Sequence, residues 1–329
     1  DYSSAPGMNI LLGQGAKVWN SKGERFMEKY DPVRKEQTER YLMGVAVAKE
    51  LKEGRGPILL DITHFTDKEM EYARHAIPIV FSNFESAGYD LRRDKIPYTG
   101  GAMIGSIGAH GVHINEKGEA SLEGLYAAGD SSDMGGMSLT ECPLGPCAVM
   151  GYWAGENAAS YASKAKEPAV SEKQVQALKE SILAPLRMKD GVTFHGLHRK
   201  ISKLLREIFP YTFRNEQSLK KGLEALKVIR DMDVPKLSAE DYHELTKVLG
   251  LRNYIEVLDA VIRVSLLRKE SRAGFMRDDY PETDNINWLK WLIIRKEDGE
   301  IKIREEPVPI DEYPLKPERE KFLHPIFKP

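Results

Sequence analysis

The residues best placed to do chemistry cluster between His110 and Cys147. Gly124-Leu125-Tyr126-Ala127-Ala128-Gly129-Asp130 reads as a short apolar strand ending in Gly-Asp. Such an ending puts a carboxylate at the carboxyl end of a strand, where open α/β sheets bind ligands. His110 and His113 lie in or beside the turn from Ile104 to Gly111, and an imidazole there could move protons near neutral pH. The other reading of either histidine is a hydrogen-bonded or surface side chain. Ser138-Leu139-Thr140 follows the Gly135-Gly136 loop, and loops at strand ends line pockets. Cys142-Pro143-Leu144-Gly145-Pro146-Cys147 reads in two ways. Its thiols could relay electrons by disulfide exchange, or its prolines could simply open a helix whose first turn lacks backbone acceptors.

Positioning these groups requires a mixed α+β chain. Residues 9–20 read as a strand pair around Gly13-Gln14-Gly15. Thr38 to Glu53 reads as a helix with Leu42, Val45, Ala46 and Leu51 on one face, stopped by Gly54-Arg55-Gly56-Pro57. Ile58 to Ile62 is a buried strand, and a further helix starts after Thr66, with Asp67 and Glu69 in its first turn. His64, after that strand, reads as structural, and Phe81 and Phe84 read as core. Gly111 to Ile114, a turn at Lys117-Gly118, and Gly124 to Gly129 read as strand, hairpin and strand. A helix follows over 144–162. Beyond Pro168 the pattern is helical over 171–186, 196–208, 216–230, 238–249 and 251–269. Residues 300–329, rich in proline and charge, read as an extended arm or partner-binding tail.

The chain has 329 residues, 41% of them hydrophobic, with a formal net charge of -2. That suffices for two or three domains with a substantial core. Nothing in the charge balance calls for nucleic acid or an anionic membrane as partner. No apolar run approaches the roughly 20 residues of a membrane span. Two cysteines cannot supply an iron–sulfur cluster or a four-cysteine zinc site, so no metal ligands are assigned. Sparse cysteine fits a reducing cytoplasm. The chain opens at Asp1 rather than Met and shows no signal-peptide pattern.

Three separated segments together resemble the flavoprotein subunits of succinate dehydrogenase and fumarate reductase, with L-aspartate oxidase and adenylylsulfate reductase. The first is Asn20-Ser21-Lys22-Gly23-Glu24-Arg25-Phe26-Met27-Glu28-Lys29-Tyr30, continued by Glu53-Gly54-Arg55-Gly56-Pro57 and Leu60-Asp61-Ile62-Thr63-His64. It is similar to that family's capping domain. The second is Gly124 to Asp130 with the helix through Gly151 and Gly155, similar to the closing segment of its Rossmann-like FAD domain. The third is Lys269-Glu270-Ser271-Arg272, Arg277-Asp278-Asp279-Tyr280-Pro281 and Asn287-Trp288-Leu289, similar to the end of its helical domain.

The resemblance implies a capping domain over 1–96, the closing FAD segment over 97–167, a C-terminal helical bundle domain over 168–299 and a tail over 300–329. It implies FAD as cofactor, with Gly129, Asp130, Ser138, Leu139 and Leu144 against it. His110, Ser138 and Arg272 become the candidate catalytic groups. Arg272 and Arg277 also read as surface pairs for Asp278, Asp279 or Asp284. The glycine fingerprint that grips the pyrophosphate is nowhere in the chain. An N-terminal FAD-binding half, on the same or another chain, is therefore expected to supply it.

Departures from the family pattern bear on substrate. Aligned on Gly151, the family's shuttle arginine falls on Ser138 and the histidine before its Met-Gly-Gly turn falls near Ser106. An arginine of its Glu-Gly-x-Arg-Gly-Glu stretch falls on Leu12, and a histidine of the third segment falls on Phe275. A guanidinium fork suits a carboxylate clamp, and such donors are gone here. The substrate is therefore expected not to be a four-carbon dicarboxylate. Leu51 to Pro57 and Ser138 to Glu141 are similar to adenylylsulfate reductase, which by analogy implies an iron–sulfur, ferredoxin-like partner. The resulting expectation is an FAD-dependent oxidoreductase that passes electrons or hydride through flavin. The alternatives are a non-catalytic scaffold or electron-transfer subunit completing a flavoprotein, or a degenerate homologue without flavin.

Overall fold

The computed structural model describes residues 8–98, 111–133, 144–167 and 169–328. The first unit is built on a three-stranded antiparallel sheet: β1 (Lys17–Trp19), β2 (Leu59–Asp61) and β3 (Ile96–Pro97). Val18 opposes Leu60, and Leu60 opposes Ile96. Ile58, Leu60 and Ile62 are buried on one face of the strand, and Asp61 on the other is buried too. Helices α1 (Met8–Gly13), α2 (Met27–Tyr30), α3 (Arg40–Lys52), α4 (Asp67–Ala76) and α5 (Pro78–Ser86) complete the unit. Every residue of α3 from Leu42 to Ala48 is buried, so it is the central helix rather than a surface one. Thr66 and Glu69 form a reciprocal capping box that opens α4. Phe81 and Phe84 lie in the core as expected.

The strand pair expected over 9–20 is instead a helix, a turn and one strand. Met8–Gly13 forms α1, with Leu11 and Leu12 buried, and Gly15 turns the chain into β1 at φ +101°. The run Asn9-Ile10-Leu11-Leu12 has no period of two, and short apolar runs do not distinguish strand from helix. Over 111–133 the expected strands reduce to isolated bridges, Val112 with Ser132, Ile114 with Ala120 and Glu119 with Tyr126. The hairpin turn survives: Asn115 Oδ1 accepts from the N–H groups of Lys117 and Glu119 at 2.9 and 3.0 Å. Helix α6 follows over Leu144–Ala162.

A second core belongs to α7 (Glu172–Arg187), α8 (Phe194–Ile208), α9 (Glu216–Val228) and α10 (Tyr242–Leu267). The two helices expected over 238–249 and 251–269 are one. Gly250 inside a helix costs about 1 kcal/mol, and the buried row Leu245, Val248, Leu251, Ile255, Leu258 and Ile262 outweighs it. No helix among the described residues is long and apolar enough to cross a membrane.

The last third of the chain stitches the two cores together. Strand β4 (Phe213–Arg214) pairs in parallel with β5 (Met276–Arg277). Strand β6 (Glu282–Asp284) pairs with β9 (Lys321–Leu323). Between them β7 (Lys290–Glu297) and β8 (Glu300–Pro307) form a ribbon over their full length. The tail expected from residue 300 therefore begins as half of a hairpin, and the Asp298-Gly299 turn is its tip. Phe213, Met276 and Ile326 are buried in the first core, far from it in sequence. Lys49 Nζ in α3 donates to the Ile326 carbonyl at 2.6 Å.

His324 is seated in this junction. It is 2% exposed, stands edge-on to Tyr41 of α3, and its Nδ1 accepts from the Ile326 N–H at 3.3 Å. Burial pushes its imidazole down to about 4, and the Arg272 charge works in the same direction. The unfolded chain thus takes up a proton below about pH 6.5 that the folded chain refuses until about pH 4. Stability is expected to fall by up to about 3 kcal/mol as pH drops through that window. His324→Gln should flatten the fall, measured by denaturant titration at pH 7, 5.5 and 4.5; an unchanged slope would assign it to other groups.

Candidate functional site

Two places gather the groups that could act on a ligand. The first is the turn after Ala128. Residues Gly129–Ser131 make a single 3-10 turn, and Ser132 Oγ closes it on the Gly129 carbonyl at 2.8 Å. Gly129 has φ +58°, and a Cβ there would stand 3.1 Å from Cys147 Sγ in the first turns of α6. Glycine is thus favoured both by its left-handed backbone and by a tight approach to Cys147. Asp130, next in the turn, is exposed, so its carboxylate is free to accept hydrogen bonds from a ligand.

The neighbouring segment is drawn tight against this turn. Val112 N–H donates to the Ser131 carbonyl at 2.8 Å, and a Cβ on Gly111 would collide with that same oxygen. His113 is half-buried. Its Nδ1 contacts Asp133 Oδ2, and its Nε2 lies 3.8 Å from Glu306 Oε1 on β8. The structure thus brings His113 into a hydrogen-bonded pair, as the structural reading of it expects. His110, Ser138, Leu139 and Cys142 lie outside the described residues. Leu144 opens α6, and its side chain is likewise outside them. Several large apolar side chains of this region are exposed: Leu122 and Leu125 in the hairpin, Val149, Tyr152 and Trp153 on α6.

The second place is a cavity of about 180 Å³ between α1 and α3. Asn9, Leu12 and Gly13 line it from α1, Glu36, Gln37 and Thr38 from the approach to α3, and Arg40 and Met43 from α3 itself. Arg40 is the first residue of α3. The preceding Glu39 makes no side-chain cap, and no acid stands in the first turn. A cation there opposes the positive end of the helix dipole. Its Nε is buried without a hydrogen-bond partner. Arg40 was not among the residues singled out from sequence. The signal that could have found it was a basic residue at the start of an uncapped helix, a placement that fold stability disfavours.

Arg272 sits elsewhere. Its Nε and Nη2 bind Glu270 at 2.9 Å each, and Nη2 also reaches Asn285 at 2.9 Å. Much of its fork is therefore engaged within the chain. Arg277, fully buried, pairs with Asp279, one of its expected partners. Phe275 stacks on the Arg214 guanidinium at 4.6 Å, and Phe209 covers it at 4.8 Å. Burial, with the Arg277 charge adding to it, pulls Arg214 down to about 10, so it remains a cation at neutral pH. His64 Nε2 meets the Gly15 carbonyl at 3.1 Å, a structural contact.

Known proteins are similar to this chain in sequence and in fold. Residues 4–141 match the family model described as FAD binding domain, and residues 199–322 match fumarate reductase flavoprotein C-term. The chain is 28% identical over 300 residues to an uncharacterized FAD-dependent oxidoreductase of Methanocaldococcus jannaschii, covering 87% of this chain and 52% of that protein. It is 28% identical over 305 residues to one of the subunits of fumarate reductase (CoM/CoB) of Methanothermobacter marburgensis, with the same coverages, 87% and 52%. The chain thus spans about half the length of these curated relatives. Among solved structures, quinol fumarate reductase of E. coli superposes with a TM-score of 0.77 at 20% identity, over 93% of this chain and 56% of that one. Adenylylsulfate reductase of Archaeoglobus fulgidus follows at 0.69 and 20%, over 94% and 58%. With both matched regions in order along one chain, the protein is similar to the FAD-dependent flavoproteins of the succinate dehydrogenase/fumarate reductase superfamily.

Proposed function

We propose that this chain is the C-terminal portion of an FAD-dependent oxidoreductase, comprising the cap (1–96), the closing segment of the FAD domain (97–167) and the helical domain with the ribbon that follows it. The observation that carries the reading is the Gly129–Ser131 turn, wedged against Cys147 and presenting Asp130 outward. These residues fit the flavin side of FAD: a turn packed closely on α6 at Gly129, beside an exposed carboxylate able to accept from ribityl hydroxyls. Ser138, Leu139 and Leu144 are assigned to the same wall. The pyrophosphate grip is assigned to an N-terminal half on the same or another polypeptide, which would cover the exposed apolar residues of α6 and 111–133. When bound, FAD supplies transfer of electron pairs or single electrons. The protein's part is to hold the ring and orient the substrate.

The substrate side is assigned to the cap, with Arg40 offering the charged contact and His110 a proton. The substrate is not a four-carbon dicarboxylate. Leu12, where the family pattern has an arginine, is an apolar wall of the cavity, and Phe275 occupies a histidine position while covering Arg214. An iron–sulfur, ferredoxin-like subunit is the proposed electron partner, by analogy with adenylylsulfate reductase, and the cytoplasm the proposed compartment.

The absorbance spectrum of the purified native material, with flavin extraction and intact mass, tests the reading. A flavin band with a longer chain or a co-purifying half is expected; flavin-free material would leave the scaffold or degenerate homologue. Gly129→Ala is expected to cost about 1–2 kcal/mol through its left-handed backbone and to lower extracted flavin per chain. Wild-type flavin content in that variant would remove the Gly129 turn from the cofactor site. The complete enzyme, reduced at its flavin, is expected not to be reoxidised by fumarate, and measurable fumarate turnover would overturn the substrate exclusion.

A further inference from the structure

From the distribution of charge around the α1–α3 cavity, we infer that it takes a small monoanion with an apolar body, a short monocarboxylate, and rejects dianions. The inference rests on the assignment of this cavity to the substrate side and names the class of substrate it admits.

The cavity wall offers one unspent cation. Arg40 Nε is buried and unpartnered, and the uncapped start of α3 adds the equivalent of roughly half a positive charge. Apart from the exposed Asn9 amide, the other polar residues of the wall already make side-chain hydrogen bonds. Gln37 Nε2 donates to the Gly13 carbonyl at 3.1 Å, and Thr38 Oγ1 donates to Asp31 at 2.6 Å. Glu36 accepts from Arg25 at 2.9 and 2.6 Å and from the Val18 N–H at 3.1 Å. Arg25 therefore neutralises Glu36 and leaves Arg40 to the cavity. Leu12 and Met43 are buried and supply apolar wall. A single carboxylate meeting Arg40 and the helix end gains charge-assisted bonds. A second carboxylate on the same small molecule finds no second cation in this wall, which otherwise consists of Leu12, Met43, the Glu36 carboxylate and neutral groups, so it has no charged partner to offset its desolvation. The volume of about 180 Å³ equals roughly six waters at their liquid volume, room enough for a short acid.

Calorimetric titration of the full chain with crotonate, crotonamide and fumarate tests this. Crotonate is expected to bind at least roughly tenfold more tightly than either of the others. Arg40→Gln should abolish the preference for crotonate over crotonamide, and Arg40→Lys should retain part of it. Arg40→Gln is expected to melt no lower than the parent, because it removes a cation from the positive end of α3 and a buried unpartnered nitrogen. Fumarate binding as tightly as crotonate, crotonate affinity unchanged in Arg40→Gln, or no crotonate binding would each overturn the inference. Flavin extraction on the same sample separates the two readings. A flavin-free chain that holds crotonate through Arg40 keeps the cavity assignment and loses the flavoenzyme, and a flavin-loaded protein that prefers fumarate does the reverse.

Discussion

A fully buried carboxylate, Glu270, organises the junction on which the rest depends. It accepts from Arg268, from the Arg272 fork and from the Asp284 N–H at 3.0 Å. Arg268 ends α10, while Asp284 ends β6, so one side chain fixes the helical bundle to the strand that carries residues 321–328 back to the cap. Buried Arg277 reinforces the join, donating to the carbonyls of Ser265 and Arg268 while paired with Asp279. Such pairs add little net stability over an apolar packing of equal volume. Their directionality fixes one geometry, because leaving either partner buried and alone is costly.

This junction also decides how the chemistry-bearing residues are read. The run Lys269-Glu270-Ser271-Arg272 has the composition of an active-site motif, yet Ser271 is buried and its Oγ donates to the Tyr280 carbonyl while accepting the Arg277 N–H. Arg272 is held by a carboxylate two positions away. Among the buried side-chain atoms left without a hydrogen-bond partner is Arg40 Nε, in a stretch with no visible motif. Charged residues in a dense pattern tend to satisfy one another, and a lone cation at an uncapped helix start has no such partner within its own turn.

Much of the helical framework was legible from sequence. The helices over 40–52, 144–162 and 172–187 follow apolar spacing and boundary residues that act locally, such as Ser171 capping α7. What escaped depended on distant contacts. The first turn of the cap is helical because Leu11 and Leu12 find a core partly built by residues 213–326. Gly250 does not break α10 because its neighbours face α8 and α9. The ribbon over 290–307 looks like a charged tail in one dimension and becomes structure only when Ile294 meets Ile303 across the strands. Of the proposed site, the turn at Gly129 and Asp130 could be located from sequence, because its motif is contiguous. It was illegible at the cavity, where residues 9, 12 and 40 converge from separate helices.

The return of residues 321–327 to the cap has a consequence for biosynthesis. The ribosome delivers the sheet and α3 well before the rest of their core, which lacks Phe213 for more than a hundred further residues and Ile326 for more than two hundred, and the Lys49–Ile326 bond spans 277 positions. Closing so long a loop is entropically expensive and slow. The cap must therefore wait on the ribosome with part of its apolar surface uncovered, a nascent state that invites chaperone capture and aggregation. Truncations that spare every residue of the cap would still leave it unfinished.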